Sequence, residues 1–236
     1  MIKVNKLSAG YGPVTILRDI NICAQDGECI GIIGPNGAGK STLLRSISGM
    51  TKLFNGSITF NGKLLNGVNP WEVAKLGIAH VPEGRLLFSG LTVEENLLVS
   101  LDSVKYSKAE YKERFEYVWD IFPILKEKWK DKAGSLSGGQ QQMVAVARGI
   151  VVNPKVLLLD EPSLGLAPII TQEIREVVNK LKGGKMCIII ADQNANMVLK
   201  MTERVYVISE GTVNLEVMSS ELASHEEVWK AYMSES

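Results

Sequence analysis

The sequence predicts an α/β fold, from three observations. Apolar strand patterns alternate with helical ones along the chain. One apolar run, Glu28–Ile33, leads straight into a glycine-rich loop and then a helix. Another, Val156–Asp160, is continuously apolar rather than alternating, as in a parallel-sheet strand covered on both faces. A β-rich stretch near the N-terminus adds an antiparallel layer. A chain of 236 residues buries most of its apolar surface on folding, in one large or two small domains.

The elements follow in order. Residues 2–7 and 14–22 read as strands, with Tyr11-Gly12-Pro13 as the turn. Lys40–Gly49 reads as a helix stopped by glycine. Ser57–Phe60 is a short β stretch turned by Asn61-Gly62. Trp71–Leu76 is helical and Ile78–Val81 a buried strand. From Thr92 to about Lys132 the pattern is helical. Within it Phe115, Val118, Trp119 and Phe122 fall at i, i+3, i+4 and i+7, a stripe suited to packing. Gly138–Val152 is a helix with Pro154 beyond it as a stop. Ile169–Leu181 is a helix ended by Gly183-Gly184, and Cys187–Ala191 is a buried strand. Arg204–Ser209 and Thr212–Val217 form a hairpin about Glu210-Gly211. Ser224-x-x-Glu227 is a capping box for a final helix carrying Trp229 and Tyr232.

Composition narrows the function. Basic and acidic residues balance at 26 each, so no global field draws nucleic acid. Lys126, Lys128, Lys130 and Lys132 alternate with Glu127 and Asp131, a solvated helix face. Cys23, Cys29 and Cys187 lack metal-site spacing and fit buried thiols in a reducing compartment. No apolar run approaches the ~20 residues that span a bilayer. No long apolar stretch follows Met1–Asn5, so a signal peptide is not expected there. A role at a membrane therefore requires another subunit to hold the chain.

Gly34-Pro35-Asn36-Gly37-Ala38-Gly39-Lys40-Ser41 fits G-x-x-x-x-G-K-[ST], with a strand before it and a helix after it. Glycines let such a loop turn its N–H groups inward as an anion nest, and the helix adds its positive end. Lys40 supplies a point charge for the β and γ phosphates, and Ser41, followed by Thr42, offers a hydroxyl to Mg²⁺. The strand Val156–Asp160 ends in two acids, Asp160 and Glu161. Carboxylates at the end of a buried strand are costly unless something uses them, and a Mg²⁺–nucleotide would. Asp160 should stay ionised beside the cation. Leu136-Ser137-Gly138-Gly139-Gln140 opens a helix as a second anion site, with Ser137 as its cap.

These strings, in this order, resemble the ATP-binding subunits of ABC (ATP-binding cassette) machines over nearly the whole chain. The resemblance implies a single P-loop NTPase domain over 1–236. Residues 1–85 and 154–236 would form a RecA-like mixed-sheet core with an antiparallel β layer. Residues 86–153 would form a helical subdomain bearing the signature. It implies ATP and Mg²⁺ as cofactors. Ser41, Asp160 and Glu83 would serve the metal, and Glu83 could instead accept from the catalytic water. Glu161 would act on the attacking water as general base or positioner. Tyr11 would stack on adenine. Ser137, Gly138, Gly139 and Gln140 would serve the ATP of a second subunit, so the active form is a dimer closed by ATP.

Three positions depart from the commonest pattern of that family. Val81-Pro82-Glu83-Gly84-Arg85 has Glu83 where glutamine is usual. Asp192-Gln193-Asn194 has Gln193 where a switch histidine is usual. Ser163–Pro168 has Ala167 where aspartate is usual. Gln193 can donate to a γ-phosphate through its amide but cannot become cationic. Together with LTVEENL (Leu91–Leu97) and DEPSLGLAP (Asp160–Pro168), these strings are similar to the LivF-type ATPases of branched-chain amino-acid importers. The resemblance implies a peripheral subunit on the cytoplasmic face of the membrane. Its partners would be two permease subunits, a second and unlike cassette (a homodimer for the chain alone) and, indirectly, a substrate-binding protein. The alternatives are amide or urea uptake, or a nucleotide-switched dimer outside transport. In such assemblies a permease helix docks beside the Glu83 loop, where Leu86, Leu87 and Phe88 form a docking surface or are buried in the core.

Overall fold

The computed structural model describes residues 1–224 apart from Ser103 and Lys105. The final helix expected around Trp229 and Tyr232 lies outside the described residues. Among these, a four-stranded antiparallel sheet and a six-stranded mixed sheet carry the fold.

The antiparallel sheet is made by β1 (Ile2–Tyr11), β2 (Val14–Ala24), β4 (Lys52–Phe60) and β5 (Lys63–Leu64), in the order β2-β1-β4-β5. The larger sheet contains β3 (Cys29–Ile33), β6 (Ile78–Val81), β7 (Val156–Asp160), β8 (Cys187–Asp192), β9 (Arg204–Ser209) and β10 (Thr212–Met218). Its order is β10-β9-β3-β8-β7-β6, parallel throughout except for the β9–β10 hairpin.

Side chains that alternate along these parallel strands sort into two hydrophobic layers. Ile30, Ile32, Val156, Leu158, Ile189 and Tyr206 face the antiparallel sheet, with α1 (Lys40–Ile47) between, through Leu43, Leu44 and Ile47. Ile33, Leu157, Leu159, Ile188, Ile190 and Val205 face the helical side. There they meet α3 (Val93–Asp102), α4 (Lys108–Ile121), α5 (Pro123–Glu127), α6 (Gly138–Ile150) and α7 (Pro168–Leu181). Burial on both faces explains why β3, β7 and β8 read as unbroken apolar runs. The short α2 (Pro70–Lys75) precedes β6, and α9 (Ser219–Ser224) ends the described chain.

Several expectations are corrected. The helical stretch from Thr92 to Lys132 is three helices. Ser107 starts α4 with a reciprocal capping box, its N–H donating to Glu110 at 2.7 Å, and Pro123 opens α5. The lysine run is therefore not one helix face. Only Lys126 stands on α5, while Lys128 pairs with Asp131 at 3.1 Å and Lys130 with Glu94. The short stretch Ser57–Phe60 is the end of a nine-residue strand, β4, whose register shifts around the left-handed Gly56 (φ 78°). A five-residue helix, α8 (Ala195–Leu199), follows β8 and was not anticipated. The aromatic stripe of α4 is packing: Val118 and Phe122 are buried, and the rings of Phe115 and Trp119 lie 4.8 and 5.0 Å from Trp129. Cys29 and Cys187 are buried free thiols, and burial raises the pKa of both.

Candidate active site

The site forms where β3 and β7 end, two strands separated by β8 in the sheet. The loop after β3 needs glycine for two different reasons. A Cβ on Gly34 would lie 2.1 Å from the carbonyl oxygen of Ile208, so only glycine fits there. Gly39 holds φ 106°, which side-chain-bearing residues avoid, and it launches α1. Lys40 then folds back over the loop. Its Nζ donates to the carbonyl oxygens of Gly34 at 2.9 Å and Pro35 at 3.1 Å. It also lies 3.0 Å from Oε1 of Glu161, with both side chains buried.

Glu161 is placed by a strained turn. Its φ is 47°, left-handed for a residue with a side chain. Its N–H donates to the carbonyl oxygen of Ala191 at 2.7 Å, so the peptide stays tied to β8. Oε2 of the same carboxylate accepts from the backbone N–H of Gln193 at 3.1 Å.

One residue earlier, Asp160 accepts from Ser41 Oγ at 2.8 Å through Oδ1. Its Oδ2 is buried with no hydrogen-bond partner. Burial pushes the Asp160 pKa up to about 6, against the lowering effects of the Ser41 hydrogen bond and the Arg45 charge.

Tyr11, Asn36, Gly37, Gly39, Lys40, Ser41, Thr42, Glu83 and Glu161 line one cavity of about 450 Å³. Ile16 and Leu164, which the motifs did not single out, line it too. Tyr11 accepts a 3.3 Å hydrogen bond from Arg45 at its rim. Of the remaining loop residues, Pro35 contributes its carbonyl to Lys40 and Ala38 is buried. The Gln193 side chain is exposed and does not line the cavity; only its backbone reaches Glu161.

The signature residues are elsewhere. Ser137 caps α6 by accepting from the Gln140 N–H at 3.3 Å, while Gln140 accepts from the Ser137 N–H at 3.1 Å. Gly139 lies against Ile170 of α7, and none of Ser137–Gln140 lines the cavity.

The donor set suits a hard cation shared with phosphate. Ser41 Oγ and Asp160 Oδ1 are adjacent oxygens, and Asp160 Oδ2 is buried without a partner, so the pair could serve a metal. Among the described residues no three His, Cys, Asp or Glu converge as a dedicated cage. Mg²⁺ binds in this way, through one or two protein oxygens, substrate phosphates and water.

The family model described as ABC transporter matches residues 17–164, more than half of the chain. The chain belongs to the ABC transporter family. This cassette is 41% identical over 233 residues to the high-affinity branched-chain amino acid transport ATP-binding protein BraG of Pseudomonas aeruginosa, covering 99% of each chain. It is 37% identical to the probable branched-chain amino acid transport ATP-binding protein LivF of Archaeoglobus fulgidus, covering 99% of this chain and 98% of that one. Its fold matches a dimeric cassette in a post-hydrolysis state bound to ADP and Pi, with TM-score 0.82 and 27% identity, over 93% of this chain and 99% of that one. The ABC cassette described here is an ATPase.

Proposed function

We propose that this cassette is the energising subunit of a branched-chain amino-acid importer. The observation that carries the reading is its end-to-end likeness to two branched-chain amino acid transport ATP-binding proteins. Residues 1–85 and 154–236 act as the catalytic core with its β layer, and 86–153 as the helical subdomain. No helix among the described residues is long and apolar enough to cross a membrane. The cassette works as a peripheral subunit on the cytoplasmic face, held by two permease subunits. In the cell it pairs with an unlike cassette, and a substrate-binding protein delivers the cargo.

In this reading the N–H groups of Asn36–Thr42 and the Lys40 ammonium hold the phosphates. Tyr11 stacks on the adenine. Ser41 and Asp160 would hold Mg²⁺, with Glu83 on the same cavity, and the ion would supply neutralisation of phosphate charge. Glu161 orients or deprotonates the attacking water, and its carboxylate is fixed for that by the Gln193 N–H. Ser137–Gln140 complete the partner's site, which explains why they line no part of this one.

Uptake of labelled leucine, isoleucine and valine in cells lacking this gene tests the reading. Loss of all three, restored by the wild-type gene, is expected. Intact uptake of these with loss of acetamide or urea uptake would assign the cassette to the related amide importers.

A further inference from the structure

Asp192, the last residue of β8, is 1% exposed, and both oxygens of its carboxylate are engaged. Oδ1 accepts from the Asn194 N–H at 2.8 Å, closing an Asx turn on its own chain. Oδ2 accepts from the Ser163 N–H at 3.1 Å and from Ser163 Oγ at 2.7 Å. One carboxylate therefore clamps the turn after β8 and the turn after β7 at once. Among the described residues no cationic side chain lies within ion-pair distance of it, so its buried charge rests on these donors. Glu161 is laced to the residues on either side of Asp192. Its N–H donates to the Ala191 carbonyl at 2.7 Å, and its Oε2 accepts from the Gln193 N–H at 3.1 Å. Its left-handed φ of 47° is a strained conformation, which persists only where the surroundings over-determine it.

We propose, on the reading of Glu161 as the group that orients or deprotonates the attacking water, that Asp192 is its positioning residue. Asp192 does not line the nucleotide cavity, so it acts through Glu161 and not on the nucleotide. The Asx turn sets the direction of the Gln193 N–H, the donor to Glu161 Oε2. The bonds to Ser163 keep the chain just past Glu161 from relaxing out of its strained turn. An isosteric amide cannot replace this carboxylate. The backbone N–H groups of Ser163 and Asn194 point at different oxygens, and asparagine has one oxygen. In either orientation of the amide, one backbone donor faces Nδ2.

The test measures ATP hydrolysis at saturating ATP and Mg²⁺, and equilibrium binding of a non-hydrolysable ATP analogue, on the full chain. It compares wild type, Asp192→Asn, Glu161→Gln and Asp192→Asn/Glu161→Gln. Asp192→Asn is expected to lose about tenfold to a hundredfold in kcat, as misplacement of a catalytic group does. Its analogue affinity is expected to change by less than about threefold, the split that marks an effect on the chemical step. In the Glu161→Gln background the same substitution is expected to cost less than about twofold, because the group it positions is already gone. A purely structural role would lower the rate alike in both backgrounds. If Asp192→Asn shows no cooperative urea unfolding, Ser163→Ala takes its place. That variant removes only the 2.7 Å bond and is expected to lose at least about threefold in kcat, again only when Glu161 is present. Wild-type kcat, a loss of analogue affinity that matches the loss of rate, or an equal loss in both backgrounds overturns the proposal. Wild-type turnover in Glu161→Gln would overturn the reading of Glu161 and the role of Asp192 together. Impaired turnover in Glu161→Gln beside unimpaired turnover in the clamp variant would overturn the role of Asp192 alone.

Discussion

Lys40 and Glu161 form a buried ion pair of 3.0 Å across the mouth of the phosphate loop. The lysine is the first residue of α1, beyond β3, and the glutamate lies on the turn after β7, so the pair ties the ends of two strands that are not neighbours. Removing one partner leaves the other charge buried and uncompensated. Lys40→Ala is expected to cost roughly 3–5 kcal/mol of stability, and Lys40→Ala/Glu161→Gln to recover much of it. Urea unfolding of the three proteins without nucleotide measures this. Glu161→Gln alone keeps the shape and removes the charge. It is expected to lower ATP turnover by about 10²–10⁴ while retaining ATP binding, and to accumulate an ATP-bound dimer on size exclusion. Unchanged phosphate release would remove Glu161 from the mechanism.

His80 in β6 supplies a pH dependence separate from catalysis. Its Nδ1 lies 3.0 Å from Ser48 Oγ, and its Nε2 is buried without a partner. Burial, and then the Arg45 charge, push its pKa down to about 4. A folded pKa below the unfolded value means that the unfolded chain takes up the proton first. The stability contribution is full above about 6.5 and is lost as pH falls towards 4, by at most about 3 kcal/mol. His80→Asn cannot titrate, so its unfolding free energy should fall less steeply over that window. Parallel curves for wild type and variant would refute the assignment.

Local signals made most of the fold legible. The glycine loop, the unbroken strands β3, β7 and β8, and the hairpin at Glu210-Gly211 need only neighbours in sequence. The helical segment was misread because the period set by Phe115, Val118, Trp119 and Phe122 hid two nearer signals, the Ser107–Glu110 box and Pro123. In β4 the strand signal at Ser57–Phe60 covers only the last part of Lys52–Phe60, because the register shift at Gly56 interrupts the pattern. Helix α8 is too short to show a period. The motifs named Lys40, Ser41, Asp160 and Glu161, but their pairing depends on sheet order, which brings together positions about 120 residues apart. No motif assigns Asp192 a role, and only the folded chain gives it the Ser163 clamp.

Gln193 bears on the pH profile of turnover. Its N–H, not its side chain, fixes Glu161, so substitution of the side chain leaves that bond intact. An amide has no protonation change near neutrality. Wild-type ATPase rate is therefore expected to show no limb at about pH 6.5 that belongs to position 193, and Gln193→His to add one. Rates measured from about pH 5.5 to 8.5 on wild type, Gln193→His and Gln193→Ala decide it. A wild-type limb abolished in Gln193→Ala would contradict the expectation.

The loop after β6 presents a different surface. Of its three apolar residues, Leu86 and Phe88 are 65% and 46% exposed, whereas Leu87 packs against the core. Arg85 and Leu86 hold left-handed φ values of 66° and 43°, and the Leu86 N–H donates to the Gly84 carbonyl in a three-residue turn. Arg148 of α6 steadies the loop. It donates to the Leu86 carbonyl at 2.8 Å, and its guanidinium lies 5.2 Å from the centre of the Phe88 ring. Backbone strain held in place beneath exposed apolar side chains suits a surface that a permease covers. Phe88→Glu places a carboxylate beside Arg148, which can pair with it, so the cassette should still fold. The variant is expected to lose at least about tenfold in recovery with permease-containing membranes, while ATP binding by the isolated protein changes by less than about twofold. Equal loss of both would mean that Phe88 supports the core instead.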